Sequence, residues 1–255
     1  ILANSSHPAD FLLENLKMQT NIIDAAFKSN VKRFLFLGSS CIYPKFSEQP
    51  IREESLLSSP LEPTNEWYAI AKIAGIKLCQ SLRIQYGFDA ICLMPTNLYG
   101  TNDNYHKNNS HVMASLIRKF HEAKIRKQDQ ILCWGSGLPL REFMHVDDLG
   151  DAVVFALEKW DPQAKNAPLD NRGLPLTFLN VGTGKDISIK ELATLIAKEY
   201  EYSGKISWDN SKPDGTPKKQ LNIERIKKLG WSPKISLTQG IKMTIKEYKK
   251  SINTL

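Results

Sequence analysis

The sequence is poor in cysteine. Its four cysteines (positions 41, 79, 92 and 133) include no Cys-x-x-Cys pair and no cysteine and histidine at a metal-binding spacing. We therefore expect no metal site, and the lack of a disulfide framework favours a reducing compartment. Cys79 and Cys92 lie in apolar segments, where a cysteine most simply acts as a small buried hydrophobe.

Long apolar runs are also absent. No segment could cross a bilayer as a helix and there is no signal peptide, so the sequence predicts a cytoplasmic protein without a membrane partner. The 255 residues are 42% apolar and 24% charged, which is typical of a globular protein with one large domain or a domain with a smaller partner.

Clustered positive charge is scarce as well. The net charge is +7, but the basic residues are spread along the chain apart from 212–219 and 245–250. There is no arginine-rich arm and no nucleic-acid motif. This distribution indicates a solvated surface that attracts small anions, and we expect no nucleic-acid partner.

The secondary structure predicted from the sequence alternates apolar strands with long helices. Residues 31–40 predict a buried parallel strand that ends at Gly38. Residues 65–87 predict a helix with Thr64 or Asn65 as its N-cap and Gly87 just past its end. Residues 89–100 predict a second buried strand, ended by Pro95.

The same alternation continues to the end of the chain. A helix over 145–160 is expected to be capped by Asp147 or Asp148, and Ser188 with Glu191 forms a capping-box pattern. Further helices are predicted over 8–30, 110–125, 188–200 and from 236, and further strands over 131–137 and 176–184.

This order of elements predicts an α/β fold with a parallel sheet. Ligands of such sheets bind at the carboxyl ends of the strands. Residues 38–41 and 95–97 both lie at predicted strand ends, so we expect both segments to line a binding site.

The helix predicted over 65–87 carries Tyr68 and Lys72, which lie four residues apart and therefore on one face. A nearby ammonium lowers the pKa of a phenol and favours proton exchange near neutral pH. Ser39, at the preceding strand end, could bond the same substrate oxygen. A Tyr-x-x-x-Lys pair alone is weak evidence, because a helix-surface pair explains it equally well, but the combination with the serine turn and the following strand is much more specific.

These motifs carry a family resemblance. "GSSCIYPK", "YAIAK" and "MPTNLYG", in this order, resemble the extended short-chain dehydrogenase/reductases that act on nucleotide sugars. With "NSHVMASLIRKFHEA", "REFMHVDDL", "NVGTG" and "KPDGTPKK", the chain from about residue 8 onward is most similar to the GDP-L-fucose synthases among them. The resemblance implies NADP(H) as cofactor and GDP-4-keto-6-deoxy-D-mannose as substrate.

The resemblance also implies the catalytic roles. Epimerisation at C3 and C5 needs a base and an acid, which would be Cys41 and His111; both residue types titrate near neutral pH after modest shifts. In the reduction at C4, Tyr68 would give the proton, held by Ser39 and Lys72. Taken alone, Cys41 is as well explained as a buried residue at a strand end, and His111 as a surface residue at a helix start.

Binding residues are implied in the same way. The positions that match the cofactor site are Leu37, Gly38, Ser39, Ser40, Lys72, Pro95, Thr96, Asn97, Leu98 and His111. The positions that match the GDP-sugar site are Lys119, Trp134, Arg141 and Asp214. Lys119 stands where the family commonly has arginine, so it keeps the charge without the bidentate fork. Trp134 is equally well explained as a core residue.

The domain organisation expected from the resemblance is incomplete. Residues 1–105 would form the C-terminal part of a Rossmann-like dinucleotide-binding domain, and 106–255 mainly a smaller α/β substrate domain, with some segments returning to the sheet. No glycine-rich phosphate-binding turn precedes residue 38, so we expect the chain to be a fragment that lacks the first strands.

Two other functions stay open at this point. One is another nucleotide-sugar epimerase or dehydratase of the same fold, and the other is a truncated, non-catalytic nucleotide-sugar-binding protein. The family's assembly implies a homodimer, for which the helices over 8–30 and 65–87 are candidates.

Overall fold

The computed structural model describes residues 6–107, 109–212 and 214–253. The described chain divides into two compact units. The first contains the chain up to Thr96 together with Leu149–Gly184 and Leu221–Pro233. The second contains Asn97–Asp148, Lys185–Gln220 and the chain from Lys234 onward.

Helices and strands alternate as the apolar patterning predicts. In chain order they are α1 (Pro8–Lys28), β1 (Phe34–Leu37), α2 (Glu66–Tyr86), β2 (Ala90–Pro95), β3 (Asn97–Tyr99), α3 (Val112–Ile125), β4 (Gln130–Trp134), β5 (Leu140–His145), α4 (Val146–Lys159), β6 (Phe178–Val181), β7 (Asp186–Ser188), α5 (Ile189–Glu199), β8 (Lys205–Asp209), β9 (Lys218–Lys219), α6 (Glu224–Lys228) and α7 (Leu237–Asn253).

The first unit is built on a parallel sheet with the strand order β1-β2-β6. Phe34 lies opposite Ala90, and Cys92 lies opposite Phe178. Every residue of β2 and β6 is buried, as expected of parallel strands that are covered on both faces. The predicted parallel α/β sheet is therefore confirmed.

Helices α1 and α2 pack against each other beside this sheet. The buried Gln19 side chain of α1 donates a hydrogen bond to the carbonyl of Ala71 in α2, at 2.5 Å. A buried amide costs free energy unless it is hydrogen-bonded, so this contact fixes the register of the two helices. Gly87 ends α2 in the left-handed conformation at φ 70°, as the sequence predicts.

The second unit has short strands of mixed direction. β5 pairs in parallel with β3 and β9 and antiparallel with β7, and β4 pairs in parallel with β8. Helices α3, α5 and α7 pack together through a core that includes Phe120, Ile196 and Ile241, each fully buried. The Ser188–Glu191 capping box at the start of α5 is present in both directions.

The sequence prediction is confirmed at one strand end and wrong at one helix start. The strand predicted within 89–100 ends at Pro95, as expected, and the short strand β3 that follows it belongs to a different sheet. Helix α4 begins at Val146, directly after β5, so Asp147 and Asp148 lie in its first turn and neither is its N-cap. Asp148 instead accepts hydrogen bonds from the backbone N–H groups of Lys234 and Ile235, each at 3.0 Å.

No helix within residues 6–107, 109–212 and 214–253 is long and apolar enough to cross a membrane. Over the same ranges, no group of three or more histidine, cysteine, aspartate or glutamate side chains could hold a metal ion.

Candidate active site

The turn after β1 places a serine and a cysteine at a strand end. Gly38 donates its N–H to the carbonyl of Leu93 at 2.9 Å, and a Cβ at this position would overlap the sulfur of Met94. A larger residue at this position would therefore require the Met94 side chain to move. The chain then enters a 3₁₀ turn over Ser40–Ile42, with Cys41 half-buried at its centre.

Ser39 joins the cysteine turn to helix α2. Its Oγ accepts the backbone N–H of Cys41 at 3.2 Å, and its side chain lies close enough to Tyr68 to lower the pKa of the phenol. Because one hydroxyl contacts both residues, the structure brings Ser39, Cys41 and Tyr68 together, although 29 residues separate Ser39 from Tyr68 in the sequence.

The phenol of Tyr68 is kept protonated by its surroundings. Burial raises the pKa of Tyr68 to about 12, the negative charge that Cys41 can carry adds to the rise, and the Ser39 side chain opposes it. The sequence predicts a lowered phenol pKa because of Lys72, and in this structure that effect is absent. At neutral pH the phenol is therefore a proton donor.

Lys72 lies on the same helix face as Tyr68, as the four-residue spacing predicts. Its ammonium donates a hydrogen bond to the carbonyl of Leu37 at 3.0 Å and lies 5.7 Å from the centre of the Tyr68 ring. Burial lowers the pKa of Lys72. An ammonium carries three donor hydrogens, so after the bond to Leu37 two remain for a ligand at the carboxyl end of β1.

The end of β2 divides between the two units. In the first unit, Pro95 pairs with Val181, and Thr96 donates its N–H to the Val181 carbonyl at 3.1 Å. In the second unit, the Asn97 side chain donates to the Glu142 carbonyl at 2.8 Å, and Leu98 pairs with Met144. Pro95 and Thr96 therefore contact β6 in the first unit, and Asn97 and Leu98 contact β5 in the second unit.

His111 belongs to the second unit and is exposed. It is the N-cap residue of α3 and has extended backbone angles, and its side chain makes no capping hydrogen bond. Nearby, burial raises the pKa of the Asp103 carboxyl, and the positive charge that His111 can carry opposes this rise. The imidazole therefore stands at the surface next to one acidic side chain.

The second unit also brings together the four residues expected at the GDP-sugar. The side chain of Trp134 is 60% exposed, which rules out the alternative of a core residue. The Lys119 ammonium lies 5.9 Å from its ring centre and donates to the Leu132 carbonyl at 2.9 Å. The Arg141 guanidinium donates to the carbonyl of Asp214 at 3.3 Å.

Two further residues join this surface that the sequence analysis does not single out. The Lys212 ammonium lies 5.7 Å from the ring centre of Trp134. Ser136 donates its N–H and its hydroxyl to the Asp214 carboxylate, at 2.8 and 2.7 Å. The basic run 212–219 is a signal for Lys212, whereas nothing local to Ser136 points to this contact.

The comparisons with known proteins agree with this geometry. Residues 1–168 match the model of the NAD dependent epimerase/dehydratase family. This match covers more than half of the chain, and the chain belongs to this family.

Curated relatives are similar over almost the whole chain. The probable GDP-L-fucose synthase 1 of Oryza sativa subsp. japonica is 54% identical over 99% of this chain and 73% of the relative. The GDP-L-fucose synthase of Escherichia coli (strain K12) is 51% identical over 96% of this chain and 75% of the relative.

Solved structures share the fold. A GDP-6-OMe-4-keto-L-xylo-heptose reductase from C. jejuni superposes with a TM-score of 0.90 at 35% identity, covering 98% of this chain and 79% of that one. A GDP-L-fucose synthetase from Naegleria fowleri bound to NADP gives a TM-score of 0.83 at 25% identity, covering 96% of this chain and 75% of that one.

Proposed function

We propose that this protein converts GDP-4-keto-6-deoxy-D-mannose into GDP-L-fucose with NADP(H) as its cofactor, by 3,5-epimerisation followed by reduction at C4. Relatives named as GDP-L-fucose synthases at 50–54% identity support the substrate and product. The observation that carries the proposal is the cluster in which one serine hydroxyl contacts both Cys41 and Tyr68. This cluster offers a thiol for proton removal and a phenol for proton donation in one place.

The residues at the end of β1 fit the nicotinamide and ribose of the cofactor. When bound, NADPH supplies the hydride for C4. Lys72 has donor hydrogens beyond its bond to Leu37, which suit ribose hydroxyls, and Leu37 is 37% exposed, which leaves an apolar surface for a flat ring. The remaining cofactor contacts that we propose are Gly38, Ser39, Ser40, Pro95, Thr96, Asn97, Leu98 and His111.

In the reduction, Tyr68 donates a proton to the oxygen at C4. Its raised pKa keeps the phenol protonated at neutral pH, and Ser39 holds the hydroxyl in place. Lys72 lies 5.7 Å from the ring centre of Tyr68 and bonds the Leu37 carbonyl, so in this proposal it holds the cofactor ribose beside the phenol.

In the epimerisation, Cys41 removes the proton next to the C4 ketone, and His111 returns a proton on the opposite face. A thiol can supply the base and an imidazole the acid for this proton exchange. His111 is exposed and its side chain makes no capping bond, so a substrate can reach its imidazole.

The GDP-sugar binds to Trp134, Arg141, Asp214 and Lys119 in this proposal. The Arg141 fork can bond two diphosphate oxygens at once, and the Lys119 ammonium adds positive charge. The exposed Trp134 ring offers a flat surface for an apolar or aromatic part of the ligand.

We further propose that the protein acts as a homodimer in the cytoplasm. Exposed apolar side chains line one face of α2, at Trp67, Ile70 and Ile84, and others lie on α1, at Met18 and Ile22. Two helices with such faces can bury them against a second copy. Within the described residues the four cysteines are in the thiol form, which suits a reducing compartment.

The test is to incubate the whole natural protein with GDP-4-keto-6-deoxy-D-mannose and NADPH and to identify the product by mass spectrometry and NMR. GDP-L-fucose is the expected product. A 4-reduced sugar with unchanged C3 and C5 would instead make the protein a simple C4 reductase, an alternative favoured by its structural similarity to the C. jejuni reductase. No turnover would favour a non-catalytic nucleotide-sugar-binding protein.

A further inference from the structure

A buried polar network lies directly behind the cysteine turn. The Tyr43 ring follows the turn and is 3% exposed, and its hydroxyl donates to Asn180 Oδ1 at 2.6 Å. Asn180 lies on β6 opposite Met94 and is fully buried. A buried hydroxyl and a buried amide cost free energy unless both are bonded, so this pairing fixes where the chain emerges from the turn.

Asn180 uses its whole side-chain amide in this network. Its Nδ2 donates to the carbonyls of Ile51 and Asn222, at 2.9 and 3.2 Å. Its backbone N–H donates to Glu53 Oε1 at 3.0 Å. One residue of β6 therefore holds three segments that are distant in sequence.

A charged group closes the far side of the network. The Glu53 carboxylate is 1% exposed and accepts a hydrogen bond from Arg225 at 2.5 Å. Arg225 also donates to the Glu54 carboxylate through both of its terminal nitrogens, Nη1 and Nη2, and donates to the Leu169 carbonyl at 3.0 Å. Burial raises the pKa of Glu53, and Arg225 compensates part of the cost of burying it.

The cysteine turn is thus held at both ends. At its start, Ser39 Oγ accepts the N–H of Cys41 at 3.2 Å. At its end, Tyr43 donates its N–H to the Ser40 carbonyl at 3.4 Å and its hydroxyl to Asn180. These bonds hold the backbone on both sides of Cys41.

We propose that Tyr43 and Asn180 are positioning residues for Cys41, and that their buried hydrogen bond holds the thiol where it removes the proton from the sugar. The epimerisation part of this inference rests on the proposed function, whereas the placement of the thiol does not. A displacement of about 1 Å can cost up to about 10²-fold in rate, so the loss of one supporting bond should affect the epimerisation first.

The first measurement needs no substrate. Alkylation of Cys41 by iodoacetamide is followed by peptide mass spectrometry; Cys79, Cys92 and Cys133 are buried and serve as internal references. Tyr43→Phe removes one oxygen atom and keeps the ring. We expect it to raise the Cys41 alkylation rate about 2- to 12-fold, the range that corresponds to the net contribution of one hydrogen bond to the closed turn.

The matched control is Tyr200→Phe, the same chemical change in the second unit. Tyr200 is 4% exposed, and its hydroxyl has no hydrogen-bond partner in the part of the chain that the structure describes. We expect wild-type alkylation of Cys41 in this control. Asn180→Ala is the second variant, and adding Tyr43→Phe to it should change the alkylation rate no further, because Asn180→Ala already removes the bond to Tyr43.

The second measurement separates positioning from general loss of stability. Solvent-deuterium exchange at C3 and C5 is compared with the reverse hydride transfer from GDP-L-fucose to NADP⁺, which starts from an already epimerised sugar. In Tyr43→Phe we expect exchange to fall about tenfold and reverse hydride transfer to stay within about twofold of wild type.

Three results would overturn the inference: an unchanged Cys41 alkylation rate in both Tyr43→Phe and Asn180→Ala, a change of the same size in Tyr200→Phe, or an equal fall of exchange and hydride transfer. A changed alkylation rate in a protein that does not turn over the keto-sugar would leave the positioning role standing and would contradict only the proposed function.

Discussion

The two sets of site residues differ in how the chain holds them. In the first unit, Ser39, Cys41, Tyr68 and Lys72 lie at strand ends or on a packed helix and are connected by hydrogen bonds to one another or to β1. In the second unit, His111 and Trp134 are exposed, and Arg141 and Asp214 meet on loops and a strand edge.

This difference matches two chemical requirements. Proton transfer needs fixed distances and controlled pKa values, and burial supplies both. Binding a large, charged nucleotide sugar needs an accessible surface with cations and flat rings. We therefore expect substitutions in the first set to act on rate constants, and substitutions at Trp134, Arg141 and Asp214 of the second set to act mainly on KM.

Tyr68→Phe should have the largest effect. Removing the phenolic proton should lower hydride transfer by roughly 10²–10⁴-fold, the usual contribution of a general acid. Deuterium exchange at C3 and C5 should continue, because it uses Cys41 and His111. Single-turnover NADPH oxidation and mass-detected exchange measure the two steps.

The control for this prediction is Tyr86→Phe on the same helix, where the tyrosine side chain is 58% exposed. It should leave both steps unchanged. If exchange and hydride transfer fell together in a folded Tyr68→Phe protein, the division of labour between the phenol and the thiol would be wrong.

Cys41→Ser should come next and should have the opposite pattern. Serine keeps the shape of the turn, but its hydroxyl is far less acidic than a thiol, so the base is lost. Exchange at C3 and C5 should fall by at least roughly 10²-fold, and hydride transfer should then act on the unepimerised ketone and give a different 6-deoxyhexose. Normal GDP-L-fucose output from this variant would exclude Cys41 as the base.

The contrast between the two regions also explains how far the sequence could predict the site. The strand after Val31, the helix with Tyr68 and Lys72 and the capping box at Ser188 are local patterns, and the structure confirms each of them. These elements are recognised from the periodicity of apolar residues, from the spacing of Tyr68 and Lys72 and from the residue types at the N-cap. All three depend only on residues that are close in the sequence.

The rest depends on partners that are far apart in the chain. Tyr43 and Asn180 are separated by 137 residues, and Glu53 and Arg225 by 172. Neither pair therefore lies within a stretch short enough to form a local sequence pattern. The raised pKa of Tyr68 was missed for a related reason, since it comes mainly from burial. The short strands β3, β7 and β9 have two or three residues each, too few for an apolar period.

Arg141→Lys tests the surface of the second unit at the level of binding. The charge remains, but the planar fork that can bond two diphosphate oxygens is lost. We expect KM for the GDP-sugar to rise by about tenfold with kcat nearly unchanged. Arg172→Lys, an exposed arginine of the first unit that pairs with Asp170, is the matched control and should leave KM unchanged. A fall in kcat alone would place Arg141 with the reacting groups instead.

Trp134→Ala should have the smallest effect of these substitutions. It tests whether the site residues of the second unit act on binding alone. Two ammonium groups, those of Lys119 and Lys212, lie 5.9 and 5.7 Å from the ring centre. An exposed cation–π contact contributes about 0.5–1 kcal/mol. Without the ring the two ammonium groups are less well held near the diphosphate, and KM should rise by about two- to fivefold, which is that free energy expressed as a ratio.

In Trp134→Phe a ring remains under both ammonium groups, so KM should lie between the values for wild type and Trp134→Ala. Leu174→Ala removes an exposed apolar side chain of the first unit and should change neither parameter. Because the contact is electrostatic, the difference between wild type and Trp134→Ala should shrink as the salt concentration rises. If Trp134→Ala lowered kcat by tenfold or more, this exposed surface would take part in the chemical step, and the separation between the half-buried reacting residues of the first unit and the binding surface of the second would not hold.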